Sequence, residues 1–134
     1  MKIQNKLINP TINFLDAINL KGRASLGRTK LKEKLSKQNE SVTQDQVAII
    51  DEFDGWTDKD KGRFNNTDKE MNEAISELLN QEVEITYNSP FRKDFVSVLE
   101  KYDEDLSGAD ADVYALLFEQ LVEEENEEEN NGAR

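Results

Sequence analysis

The segment Glu82-Val83-Glu84-Ile85-Thr86-Tyr87 alternates strictly, with Val83, Ile85 and Tyr87 on one side and charged or polar residues on the other. Such alternation marks a half-buried strand. It constrains the whole fold, because a single strand leaves its backbone groups without partners and needs a neighbour. Elsewhere the apolar residues recur at helical spacing, so the neighbour must come from a short segment. Residues 1–6 are the best candidate. The expectation is an α+β fold, predominantly helical, with about five helices and a minimal two-stranded sheet.

The helices are read from their starts and stripes. Asn9-Pro10 suggests an N-cap followed by proline at the first helical position, with Ile8, Ile12, Leu15 and Ile18 forming the apolar stripe. Lys21-Gly22 suggests where that helix stops. A longer helix is expected over 24–53, with Leu31, Leu35, Val42, Ile49, Ile50 and Phe53 on one side and a break near 38–44 in the polar stretch Ser36–Thr43. Asn66-Thr67-Asp68 should cap a third helix over 68–80, Ser89-Pro90 should start a fourth, and Ser107 a fifth. With 134 residues, one compact domain over 1–122 is expected. The acidic run over 123–134 repels itself and is expected to be a disordered tail.

Composition narrows the chemistry. The chain holds no cysteine and no histidine, which removes disulfides, thiolate chemistry and the commonest base and zinc ligand near neutral pH. Nor does Gly22, Gly27 or Gly62 fall into a phosphate-cradling pattern. The expectation is a non-enzymatic protein with no catalytic residue, no metal and no cofactor. There is no apolar run of about 18 residues to span a membrane, and residues 1–6 lack the apolar stretch of a signal peptide. A cytoplasmic protein with no membrane association is expected.

Charge is distributed unevenly. The net charge is −12, yet residues 1–37 carry nine cations against Asp16 and Glu33. From Asp103 to Ala133 there is no Lys or Arg and there are twelve carboxylates. Two candidate surfaces follow. The acidic one comprises Asp103, Asp105, Asp110, Asp112, Glu119 and Glu123, and would bind a protein partner. The basic one comprises Arg23, Arg28, Lys30, Lys32 and Lys34, and would contact phosphates. The overall negative charge disfavours direct nucleic-acid binding. Both runs also fit plain solvated helix faces.

Two acidic motifs fit bland readings better than metal sites. Asp103-Glu104-Asp105-Leu106-Ser107-Gly108 matches the first half of a calcium loop, but Tyr114 stands where the bidentate glutamate belongs. Asp54, Asp58 and Asp60 are interleaved with Lys59, Lys61 and Arg63. Trp56 and Phe64 flank that charged loop and are candidate anchors, either for the core or for a partner.

At Lys6-Leu7-Ile8, Ile12-Asn13-Phe14-Leu15, Leu20-Lys21-Gly22-Arg23-Ala24-Ser25 and Arg28-Thr29-Lys30-Leu31 the chain resembles short uncharacterised proteins of phages and prophages of Gram-positive bacteria, a domain-of-unknown-function family. Glu82-Val83-Glu84-Ile85 and the segment from Leu106 to Tyr114 fit the same pattern. The resemblance implies a phage accessory protein in a bacterial host cell, and brings no catalytic residues with it. The function expected is binding to a host or phage protein, most specifically as a nucleic-acid-mimicking inhibitor of a host nucleic-acid or defence enzyme. A virion or tail assembly factor or chaperone is the alternative, followed by a small DNA-binding regulator acting through 21–37.

Overall fold

A computed structural model of the chain describes residues 1–53, 57–58, 63–64 and 69–132, with the backbone alone at 57–58, 63–64 and 129–132. The order is β1 (Lys2–Gln4), α1 (Asn5–Ala17), α2 (Gly22–Glu52), β2 (Thr57–Asp58), β3 (Arg63–Phe64), α3 (Lys69–Asn80), β4 (Glu82–Glu84), α4 (Arg92–Lys101) and α5 (Gly108–Leu117). A π-helical turn (Phe118–Glu123) then carries α5 directly into α6 (Glu124–Gly132). The fold is predominantly helical α+β.

The alternating segment pairs where its backbone requires. β1 and β4 run antiparallel, with Lys2 opposite Glu84, Ile3 opposite Val83 and Gln4 opposite Glu82. Only Glu82–Glu84 joins the ladder, but the Ile85 N–H still donates to the Met1 carbonyl at 2.6 Å. Ile85 and Tyr87 are buried beyond it. A second short ladder, unforeseen in the loop composition, pairs Thr57 with Phe64 and Asp58 with Arg63.

α1 starts four residues before Asn9, at Asn5, and encloses Pro10. Proline there removes one backbone bond, and tertiary anchoring overrides it. The Asn5 N–H donates to the Gln81 carbonyl at 3.0 Å, and its side-chain amide donates to the Leu78 carbonyl at 2.9 Å. Ile8 and Thr11 are then fully buried. Gly22 does not close α1; it is the first residue of α2, at φ +56°. The C-terminal end of α1 is instead closed by a side chain, as Arg28 Nη1 donates to the carbonyls of Ile18 and Leu15.

α2 is one unbroken helix of 31 residues, about 45 Å long at 1.5 Å per residue. The polar stretch Ser36–Thr43 does not break it, since Leu35 and Val42 keep its inner face buried on both sides. It packs against α1, α3 and α4. Gly27 makes the α4 contact close: a Cβ there would lie 2.4 Å from the Phe91 carbonyl oxygen and 2.8 Å from Phe95 Cβ. The Tyr87 hydroxyl donates to the Gly27 carbonyl at 2.6 Å, tying the loop after β4 to the same point. The core then collects Ile3 from β1, Ile8 and Leu15 from α1, Leu31 from α2, Phe95 from α4 and Leu117 from α5.

The acidic segment expected to be disordered from residue 123 is helical to Gly132. Its first turn belongs to the fold, because Glu125 is buried, 7% exposed. The wider π turn presents two adjacent residues, Leu121 and Val122, to the core.

Candidate functional site

Among the described residues the buried polar side chains Asn5, Thr11 and Glu125 all have partners within the fold. What is left to act outward is surface charge, and its placement separates the candidate residues.

The five basic candidates do not form one surface. At 100° per residue, Arg23, Lys30 and Lys34 share a face of α2, whereas Arg28 and Lys32 lie roughly 140–180° around from Arg23. Arg28 is half-buried and closes α1. Lys32 pairs with Asp16. On the outer face Arg23 pairs with Asp94 at 3.4 Å and lies over the Phe91 ring, and Lys30 pairs with Glu33 at 3.6 Å. Among the described residues Arg28 and Lys34 make no ion pair, and of these two Arg28 is engaged by backbone carbonyls. Leu26, 47% exposed, interrupts the same face.

The acidic candidates fare differently. All six are exposed, and none is in an ion pair among the described residues. Asp112, Glu119 and Glu123 follow at spacings of seven and four, so they lie along one outward ridge of the α5–α6 helix. Glu127 continues it. Asp110 projects roughly 160° away from Asp112, and Asp103 and Asp105 lie in the loop before α5. The structure therefore assembles three of the six into a line and sets three aside.

Sequence reasoning missed the polar centre that holds this helix in place. Arg92, at the start of α4, donates from Nη1 to the Tyr87 carbonyl at 2.7 Å, and its guanidinium lies over the Tyr87 ring, 5.5 Å from the centroid. Its Nε stands 2.8 Å from Glu125 Oε1, and Nη2 stands 3.7 Å from Glu124 Oε2. Both nitrogens are buried without an aligned hydrogen bond, so the attraction is chiefly that of opposite charges. Burial pushes the Tyr87 phenol well above its ordinary range, against a smaller opposing pull from Arg92. No local signal separates Glu125 from its neighbours in a run of glutamates; only the register set by Leu117, Leu121 and Val122 does.

Trp56 lies outside the described residues, as do Asp54 and Asp60. Of Phe64 and Asp58 only the backbone is described, in β3 and β2. No family model, curated protein or solved structure matches the chain.

Proposed function

We propose that the protein is a non-enzymatic binding protein whose working surface is the acidic ridge Asp112–Glu119–Glu123, presented to a basic surface of a protein partner. One observation carries this reading: the ridge carboxylates are exposed and make no ion pair among the described residues, whereas the basic residues of α2 are mostly engaged within the fold. A charged group without an internal partner keeps its full field for steering and register.

The sharpest form is inhibition of a nucleic-acid enzyme, in the phage and bacterial-host setting that the resemblance implies. Carboxylates would take the place of phosphates in that enzyme's groove. Along the ridge the charges come about every 6–10 Å, against one per about 3.4 Å for a single nucleic-acid strand. The mimicry is therefore sparse, and supports displacement of nucleic acid from a short basic groove better than imitation of a long duplex. An assembly factor for virion proteins is the alternative; its binding would rest on apolar contacts and survive high salt.

The test is capture of host and phage proteins on the tagged protein at moderate salt, with nuclease added, followed by identification and an activity assay. Recovery of a nucleic-acid enzyme that the protein inhibits supports the reading. Recovery of virion proteins that stay bound at high salt replaces it with the assembly role.

A further inference from the structure

Two helices end at the same place. α1 stops at Ala17 and α4 at Lys101, and the segments that leave them enclose an open cleft of about 660 Å³. That volume lies within the usual range for ligand sites, roughly 300–1,000 Å³. Ile18, Leu20, Val98 and Tyr102, buried or half-buried, form its apolar part. Asp103, Glu104 and Asp105 stand exposed around it, and none has an ion-pair partner among the described residues. Lys101 is the one cation in the lining, leaving an excess of two negative charges.

The surroundings add to that field. Helix C-terminal ends carry partial negative charge; Arg28 covers part of the α1 end, and at the α4 end the Leu99 carbonyl accepts from the Tyr102 N–H at 3.2 Å and from the Tyr114 hydroxyl at 2.6 Å. Tyr102 packs against Tyr114 with ring centroids 5.5 Å apart. Burial first, then Glu104 and Asp110, push its phenol above the ordinary range.

We propose that this cleft receives an arginine flanked by aliphatic residues, carried on a segment of the partner protein. Arginine satisfies both halves of the lining: its aliphatic stem packs on apolar surface, and its planar head matches carboxylates and stacks on an aromatic ring. The flanking aliphatic side chains cover Leu20 and Val98. A nucleic acid brings the wrong charge, and an inorganic cation leaves the apolar part uncovered. The inference rests on the reading that the chain binds a protein, and adds the chemistry that its Asp103–Asp105 loop selects.

The experiment is an amide-shift titration of the full chain by NMR with the peptide acetyl-Leu-Arg-Leu-amide. Acetyl-Leu-Glu-Leu-amide and acetyl-Gly-Arg-Gly-amide are the controls. Saturable shifts at Leu20, Val98, Tyr102 and Asp105, weakened about tenfold in the Asp103→Asn, Glu104→Gln, Asp105→Asn variant, are expected. These side chains are exposed and make no ion pair among the described residues, so the variant should keep the parent's circular dichroism. Shifts spread along Glu119–Glu128, shifts unchanged by the variant, or no saturable shift would each overturn the proposal. Charge reversal at Asp112, Glu119 and Glu123 leaves this titration unchanged, so cleft and ridge succeed or fail separately.

Discussion

Replacing Gly27 by alanine sets a helix preference against a steric contact. Alanine is favoured over glycine inside a helix by about 1 kcal/mol, so an open site would gain stability. Gly27 is not open. The new methyl would stand 2.4 Å from the Phe91 oxygen, 3.1 Å from its carbonyl carbon and 2.8 Å from Phe95 Cβ. Ordinary contact needs about 3.5 Å, so the start of α4 must retreat by about 1 Å. Two of the three atoms are backbone, with no rotamer to absorb the change. Overpacking of this kind costs about 1–3 kcal/mol, and retreat also stretches the Tyr87 hydroxyl bond to Gly27, worth about 1 kcal/mol. The balance is a net loss of about 2 kcal/mol, or a Tm lowered by roughly 6–10 °C for a domain of this size. Thermal and urea unfolding followed by circular dichroism measure it. Gly22→Ala and Gly108→Ala are the controls: both sit at φ +56° with open space around them, and should lose about 1 kcal/mol each from backbone strain alone. A Gly27→Ala protein melting at or above the parent would refute the close α2–α4 packing.

Other perturbations test the polar centre and the capping. Glu125→Ala leaves the Arg92 guanidinium buried beside Glu124 alone and should cost about 2–4 kcal/mol, with Arg92→Met/Glu125→Met recovering part of it; equal losses in single and double variants would deny the pairing. Tyr87 favours its neutral form in the folded state, its pKa being raised from 10.0 by burial. Its contribution is therefore complete below pH 10 and lost as pH rises beyond, where the unfolded chain releases the proton first. Urea midpoints should fall more steeply above pH 10 for the parent than for Tyr87→Phe, and parallel curves would contradict this. Arg28→Ala, which opens the end of α1, should lower stability by about 1–3 kcal/mol, while Lys34→Ala should stay within about 0.5 kcal/mol. Similar losses for both would mean that Arg28 is a surface charge after all.

The parts of this fold legible in the sequence are those with a local signature. Alternation at Val83, Ile85 and Tyr87 marks the strand and points to residues 1–6 as its partner, because nothing else short and apolar is free. The stripe of α2 places its buried residues Leu31, Leu35, Val42 and Ile50. Helix ends were harder to read. Asn9-Pro10 has the composition of a helix start, but the start is decided by Asn5, whose partners Leu78 and Gln81 are more than seventy residues away. Lys21-Gly22 has the composition of a stop and serves as a start. At the candidate surface, exposure of the acidic residues was legible from charge alone. The alignment of Asp112, Glu119 and Glu123 also follows from spacing. The roles of Arg28 and Glu125 do not, since an arginine closing a helix and a glutamate entering the core differ from their neighbours only in tertiary position.

The central claim is that the acidic ridge is where the protein meets its partner. It is tested most directly by parallel capture on the parent and on an Asp112→Lys, Glu119→Lys, Glu123→Lys variant from one nuclease-treated host lysate, with quantitative mass spectrometry. These residues are exposed and make no ion pair among the described residues, so the variant should fold as the parent does. The account predicts a protein retained by the parent and lost from the variant. Retention of the same protein by both, in equal amount, would contradict it.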